Sequence, residues 1–165
     1  MPLLKTVIYL AVLGILAHFI GEALPRSSFK PEQAPFACRA WERGGRIYER
    51  IAIQKWKDHM PDMSRIMKDM IPKRIDGRAS SDSVYRLAVE TCVAESVHWA
   101  LCALAFGAGV FWTGFGRWLV PAIIIACNLP FILIKRYNRP KLIALSQRLH
   151  KREEKHLHEG TDTVV

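Results

Sequence analysis

Three nearly uncharged apolar runs, at 7–20, 100–112 and 118–134, alternate along the chain with two stretches, 26–86 and 135–158, that hold nearly all of its Lys and Arg. A helix needs about 20 apolar residues to cross a hydrocarbon core, and with their flanks the runs predict membrane helices over 3–24, 84–112 and 118–137. The link Thr113-Gly114-Phe115-Gly116-Arg117 is short, so the second and third helices form an antiparallel hairpin. Basic residues crowd the outer ends of that hairpin. By the positive-inside rule, 26–83 and 138–165 are then cytoplasmic and the amino terminus lies outside. Trp112, Phe115 and Trp118 around the turn suit the aromatic belt at the far interface. The expected architecture is all-α: a small integral membrane protein with one membrane domain over 1–165, three transmembrane helices and interfacial amphipathic helices.

A cleaved signal peptide would show a more basic start, a shorter apolar centre and a small-x-small site. Lys5 alone and Gly21-Glu22-Ala23 match these poorly, so the first helix reads as a retained anchor. In the basic segment, Trp41, Ile47, Tyr48, Ile51, Ile53 and Trp56 recur near helical spacing beside Arg39, Arg43, Arg46, Arg50 and Lys57. This predicts an amphipathic helix resting on the membrane, its cations available to headgroups or an anionic substrate. Gly44-Gly45 and Pro61 punctuate it, and Met60, Met63, Met67 and Met70 read as packing residues. Residues 74–83 read as a loop ending in a helix cap near Ser81 or Ser83. Past Leu142, with Leu145 and Leu149 on the same side, a basic amphipathic tail helix precedes a frayed end at 160–165.

A chain of 165 residues that is 50% hydrophobic yet carries a net charge of +9 departs from ordinary soluble domains. Topology accounts for the charge and no aromatic platform for bases is evident, so membrane lipids, not nucleic acid, are the expected partners. Cys38, Cys92, Cys102 and Cys127 form no Cys-x-x-Cys and read as small buried hydrophobes. The chain has no Gly-rich phosphate loop, no Gly-x-Ser-x-Gly elbow and no internal repeat.

Chemistry concentrates where the second helix begins. Steps of 100° per residue place Glu90, Thr91, Glu95 and His98 within an arc of roughly 140° on one face. Ionisable groups on a membrane helix mark a functional site by default. A histidine flanked on its own face by carboxylates has the makings of a general base. On the third helix Asn128, Lys135 and Arg139 share one stripe, Pro130 predicts a kink, and antiparallel pairing brings this stripe beside Glu90–His98. A stop-transfer cluster with snorkelling cations is the alternative for Lys135, Arg136 and Arg139.

The blocks Trp41-Glu42-Arg43-Gly44-Gly45, Lys55-Trp56-Lys57 with Pro61-Asp62, Glu90-Thr91-x-x-Ala94-Glu95-x-x-His98-Trp99, and Asn128-x-Pro130 followed by Arg136-Tyr137-Asn138-Arg139-Pro140 resemble the glycosyl-4,4'-diaponeurosporenoate acyltransferase family. The resemblance covers 36–142. It implies transfer of a fatty acyl group to a sugar hydroxyl of a glycosylated carotenoid at the bacterial cytoplasmic membrane; the function expected of this chain is acyl transfer, from acyl-CoA and without a cofactor, to a hydroxyl of a glycolipid or glycosylated isoprenoid. In that reading His98 is the base, Glu95 orients it, and Glu90 binds the acceptor sugar or a basic partner. Asn128, Arg136 and Arg139 stabilise the oxyanion or grip donor phosphates, and Trp56, Lys57 and Asn138 complete the substrate-binding set. No serine or cysteine sits in a nucleophile motif, so direct transfer is expected. Two other classes stay open. Glu95-x-x-His98 and Glu153-x-x-His156 have the spacing of di-iron carboxylate hydroxylases and desaturases, although the further bridging Glu residues are missing and no metal is expected. A non-catalytic membrane scaffold or accessory subunit would use the basic face as its contact surface.

Overall fold

The computed structural model of the chain describes residues 1–60 and 80–162, with side chains up to 155 apart from that of Asp58. Among these residues all regular structure is helical: α1 Pro2–Ala23, α2 Ile53–Trp56, α3 Ser81–Gly109 and α4 Gly116–Asp162. Shorter 3-10 segments lie at Arg26–Ser28, Ala40–Ile51 and Lys57–His59. Three helices, α1, α3 and α4, are long and apolar enough to cross a membrane. Pro61, Met63, Met67, Met70 and the loop expected from 74 lie outside the described residues up to position 79. The chain divides into two compact units, Met1–Phe29 with Cys92–Lys135, and Lys30–Thr91 with Arg136–Val165.

In the first unit α1 buries only Thr6, while Leu3, Val7, Ile15 and Phe19 stand open. So many exposed apolar side chains on one helix fit a lipid-facing surface. Two polar contacts fix the helix: Trp112 Nε1 donates to Thr6 Oγ1 at 2.8 Å, and Tyr9 Oη donates to the Leu104 carbonyl at 2.8 Å. Gly107 makes room for the second, since a Cβ there would stand 2.3 Å from Tyr9 Oη. Helix α3 ends at Gly109, sooner than hydropathy suggested. The amides of Val110, Phe111 and Trp112 turn instead to carbonyls three residues back, the tightening by which a helix end satisfies its last acceptors.

Helix α4 differs most from expectation. The third apolar run and the basic tail expected as a separate helix form one continuous helix through Pro130 and Pro140 to Asp162. An internal proline removes one backbone hydrogen bond and costs about 3 kcal/mol. Around Pro140 the second unit compensates with side-chain ties on both sides, from Arg136 to Glu42, Arg139 to Thr91, and Ser146 to the Ser81 carbonyl.

The second unit also replaces the amphipathic helix expected across 41–56. Arg43, Gly44 and Gly45 adopt φ of 52°, 68° and 89°, which breaks Ala40–Ile51 into two 3-10 turns. Tyr48 and Ile53 go inside, and Trp41 and Ile51 stay out. Gly45 is needed twice over, because a Cβ on its left-handed backbone would also come within 2.9 Å of the Tyr137 carbonyl. At the start of α3, Ser80 is the cap, its Oγ accepting from the Ser83 amide at 3.3 Å. The Ser81 amide and hydroxyl donate to Glu153 at 3.0 and 2.6 Å, and these bonds hold the Glu153 carboxyl below its ordinary range.

Candidate active site

Helices α3 and α4 bring His98 and Asn128 together in the first unit. Nδ1 of His98 lies 2.9 Å from Asn128 Oδ1, and the imidazole stacks on Phe131 with ring centroids 4.8 Å apart and planes 8° from parallel. The Asn128 amide is itself tied, Nδ2 donating to the Ile124 carbonyl at 2.9 Å. Nε2 of His98 makes no hydrogen bond among the described residues. An imidazole with one nitrogen anchored, one face covered and the other nitrogen open is the arrangement a general base requires. The hydrogen-bond partner of His98 Nδ1 is Asn128, a residue expected among the substrate-binding set. Glu95, expected to orient the ring, is buried at 3% exposure and accepts from Trp99 Nε1 at 3.4 Å.

The second unit is organised around Glu42, a residue that the sequence placed in a family block without a role of its own. Arg136 meets it with two donors, Nε to Oε1 at 2.6 Å and Nη2 to Oε2 at 2.9 Å. The Arg39 amide donates to Oε2 at 2.6 Å, and the Tyr48 hydroxyl donates to Oε1. Burial alone would raise the Glu42 carboxyl, which is 1% exposed. The hydrogen bonds from Arg136, Tyr48 and the Arg39 amide outweigh it and hold the group at about 2, against an ordinary 4.5. Burial, then the bond to Glu42, pushes the Tyr48 phenol well above its usual range, so it remains a donor.

Arg139 is equally committed at 1% exposure. Its Nε and Nη2 donate to the Thr91 hydroxyl and carbonyl at 2.8 and 3.0 Å, its Nη1 donates to the Phe36 carbonyl at 2.8 Å, and the Phe36 ring lies 5.4 Å from its guanidinium carbon. These contacts tie Arg136 and Arg139, the residues expected at the oxyanion or the donor phosphates, to acceptors of the chain itself. A small cleft beside them is lined by Phe36, Cys38, Glu42, Pro140 and Ile143.

The remaining predicted residues fall as follows. Trp56 Nε1 donates to the Ile51 carbonyl at 3.0 Å and closes its own turn. The ammonium groups of Lys57 and Lys141 lie 5.6 and 3.5 Å from the centroid of the buried Tyr137 ring, a cation–π arrangement. Asn138 and Glu90 are half-buried on α4 and α3. No three His, Cys, Asp or Glu side chains converge as metal ligands among the described residues, and the His156 side chain lies outside them. Sequence reasoning gave Glu42, Tyr48 and Phe131 no role at the site and did not pair Thr91 with Arg139. For Glu42 a signal existed, an acid set between Arg39 and Arg43 just before the Gly-Gly turn.

The glycosyl-4,4'-diaponeurosporenoate acyltransferase profile matches residues 25–148, which takes in α2, α3 and most of α4. Curated glycosyl-4,4'-diaponeurosporenoate acyltransferases of Staphylococcus aureus, from strains bovine RF122 / ET3-1 and N315, are 26% and 25% identical over 140 residues, 83% of this chain and 83% of theirs. No solved structure matches the chain. The profile spans the Glu42 turn, the Glu90–His98 face and the Arg136–Pro140 block together, and the chain belongs to the glycosyl-4,4'-diaponeurosporenoate acyltransferase family, an acyltransferase family whose member here carries three helices fit to cross a membrane.

Proposed function

We propose that the protein transfers a fatty acyl group from acyl-CoA to a sugar hydroxyl of a glycosylated carotenoid, or of a closely related glycolipid, at the cytoplasmic face of a bacterial inner membrane. The observation that carries this reading is His98, anchored through Nδ1 on a helix fit to cross a membrane, with Nε2 open, in a chain of an acyltransferase family. His98 takes the proton of the acceptor hydroxyl, and the resulting oxygen nucleophile attacks the thioester carbonyl directly. An apolar acceptor tail and an acyl chain suit the exposed apolar helices of the first unit. A polyanionic donor suits a chain of net charge +9. The topology that goes with this reading has the amino terminus outside and the carboxyl terminus in the cytoplasm.

The test is made in cells that produce the glycosylated carotenoid but cannot acylate it. Introducing this chain yields the acyl ester by mass spectrometry, and His98→Ala, present in the membrane at equal amount, yields none. Ester formation at wild-type level by His98→Ala would refute the assignment of the base.

A further inference from the structure

The chemistry at His98 depends on which ring nitrogen carries the proton, and the surroundings of Asn128 settle it. The Ile124 carbonyl can only accept a hydrogen bond. The Asn128 group lying 2.9 Å from it is therefore the NH2, and the group turned to His98 at 2.9 Å is the amide oxygen. An oxygen that can only accept obliges Nδ1 to donate. We propose that Asn128 is a positioning residue that holds neutral His98 as the Nδ1–H tautomer, so that the Nε2 lone pair is the one presented to the acceptor hydroxyl.

This inference rests on the acyl-transfer reading and gives it a proton path. The hydroxyl proton passes to Nε2 as the acceptor oxygen bonds to the acyl carbon. The carbon–sulfur bond of the thioester donor then breaks, and Nε2 returns the proton to the departing thiolate. Nδ1 keeps its proton throughout, and the bond to Oδ1 strengthens while the ring is cationic, since a charged donor makes the stronger hydrogen bond. The Phe131 ring, stacked 8° from parallel, prevents the imidazole from turning over and exchanging its nitrogens. Asn128 thus supplies here, from a second helix and without a charge of its own, what a third group supplies to the base in many hydrolases and transferases. A neutral orienting group is also far cheaper to bury on a membrane helix than a carboxylate.

The tautomer is measured directly by nitrogen-15 and carbon-13 NMR of histidine-labelled protein in lipid nanodiscs, at a pH where the ring is neutral. The His98 signals are identified among six histidines by their absence in His98→Ala. The wild type shows the Nδ1–H pattern. In Asn128→Leu, which keeps the bulk and removes the acceptor, that pattern gives way to Nε2–H or to a mixture, and kcat falls about a hundredfold with KM for the acceptor little changed. In Asn128→Asp, whose carboxylate also accepts from Nδ1, the Nδ1–H pattern returns and kcat recovers to within about tenfold of wild type. An Nε2–H pattern in the wild type overturns the inference without any variant, and so does an unchanged tautomer in Asn128→Leu. If His98→Ala keeps full transfer while the wild type shows Nδ1–H, the base assignment falls and the tautomer stands, so the two failures are distinguishable.

Discussion

Replacing Glu42 by Gln leaves shape and volume almost intact but puts an NH2 where a carboxylate oxygen now receives donors. Arg136 donates to both oxygens and the Arg39 amide to Oε2, at 2.6 to 2.9 Å, and the Tyr48 hydroxyl donates to Oε1 in a site 1% exposed. The lowering of the carboxyl from 4.5 to about 2 gives the scale. At about 1.4 kcal/mol per pH unit it corresponds to about 3 kcal/mol in favour of the ionised, folded state. Removal of one partner from a buried ion pair typically costs about 3–5 kcal/mol, which agrees. For a chain of this size, Glu42→Gln should then melt roughly 6–12 °C below wild type. The assay is thermal unfolding in a mild detergent, followed by size-exclusion fluorescence across a pH series. Because the folded pKa is depressed, the contribution is complete above about 4.5 and is lost as pH falls toward about 2. The wild type should therefore converge on the variant at the acidic end, where both have lost the ionised group. Adding Arg136→Gln to the variant should cost much less than it costs alone. A melting point within about 2 °C of wild type at neutral pH, or a gap that does not narrow on acidification, would refute the reasoning.

Three further outcomes follow from individual contacts. Gly45→Ala should destabilise by about 1–3 kcal/mol, since φ of 89° and a Cβ 2.9 Å from the Tyr137 carbonyl both penalise it; a thermal melt equal to wild type would show that the turn can open. Gly107→Ala should impair packing by a similar amount through the clash with Tyr9 Oη at 2.3 Å, and adding Tyr9→Phe should restore much of it, read as detergent-resistant monodisperse protein. Arg139→Lys should lower stability by about 2–5 kcal/mol despite the retained charge, because one ammonium cannot reach Thr91 and Phe36 as the guanidinium does; chemical unfolding that matched wild type would contradict the structural role of Arg139.

What was legible in the sequence was what depends on periodicity and composition. Three helices fit to cross a membrane follow from runs of apolar residues, and the polar face holding Thr91, Glu95 and His98 follows from helical geometry. What depends on pairing across long intervals was not legible. Arg136 and Glu42 stand 94 positions apart, and nothing local announces that one neutralises the other. Nor does anything local announce the acceptors that Arg139 finds in Thr91 and Phe36. The Gly44-Gly45 pair was visible as punctuation, but its consequence, a left-handed turn pressed against the Tyr137 carbonyl, arises only once α4 is in place. The continuity of α4 through Pro140 was not legible for the same reason: local propensity disfavours a helix there, and tertiary ties on either side carry it through. At His98 the residue type was evident and antiparallel pairing set the Asn128 stripe beside it, but the hydrogen bond between the two was not legible. Two acids on the same face drew attention from the amide, thirty positions on, that holds the ring.

The most direct test of the account is single-turnover transfer of a labelled acyl chain from acyl-CoA to glycosylated carotenoid by the purified protein in nanodiscs, with His98→Ala alongside. The account predicts ester formation by the wild type and a loss of about a hundredfold or more in the rate of the variant, with its fold intact by thermal melt. Equal rates from the two proteins would contradict it.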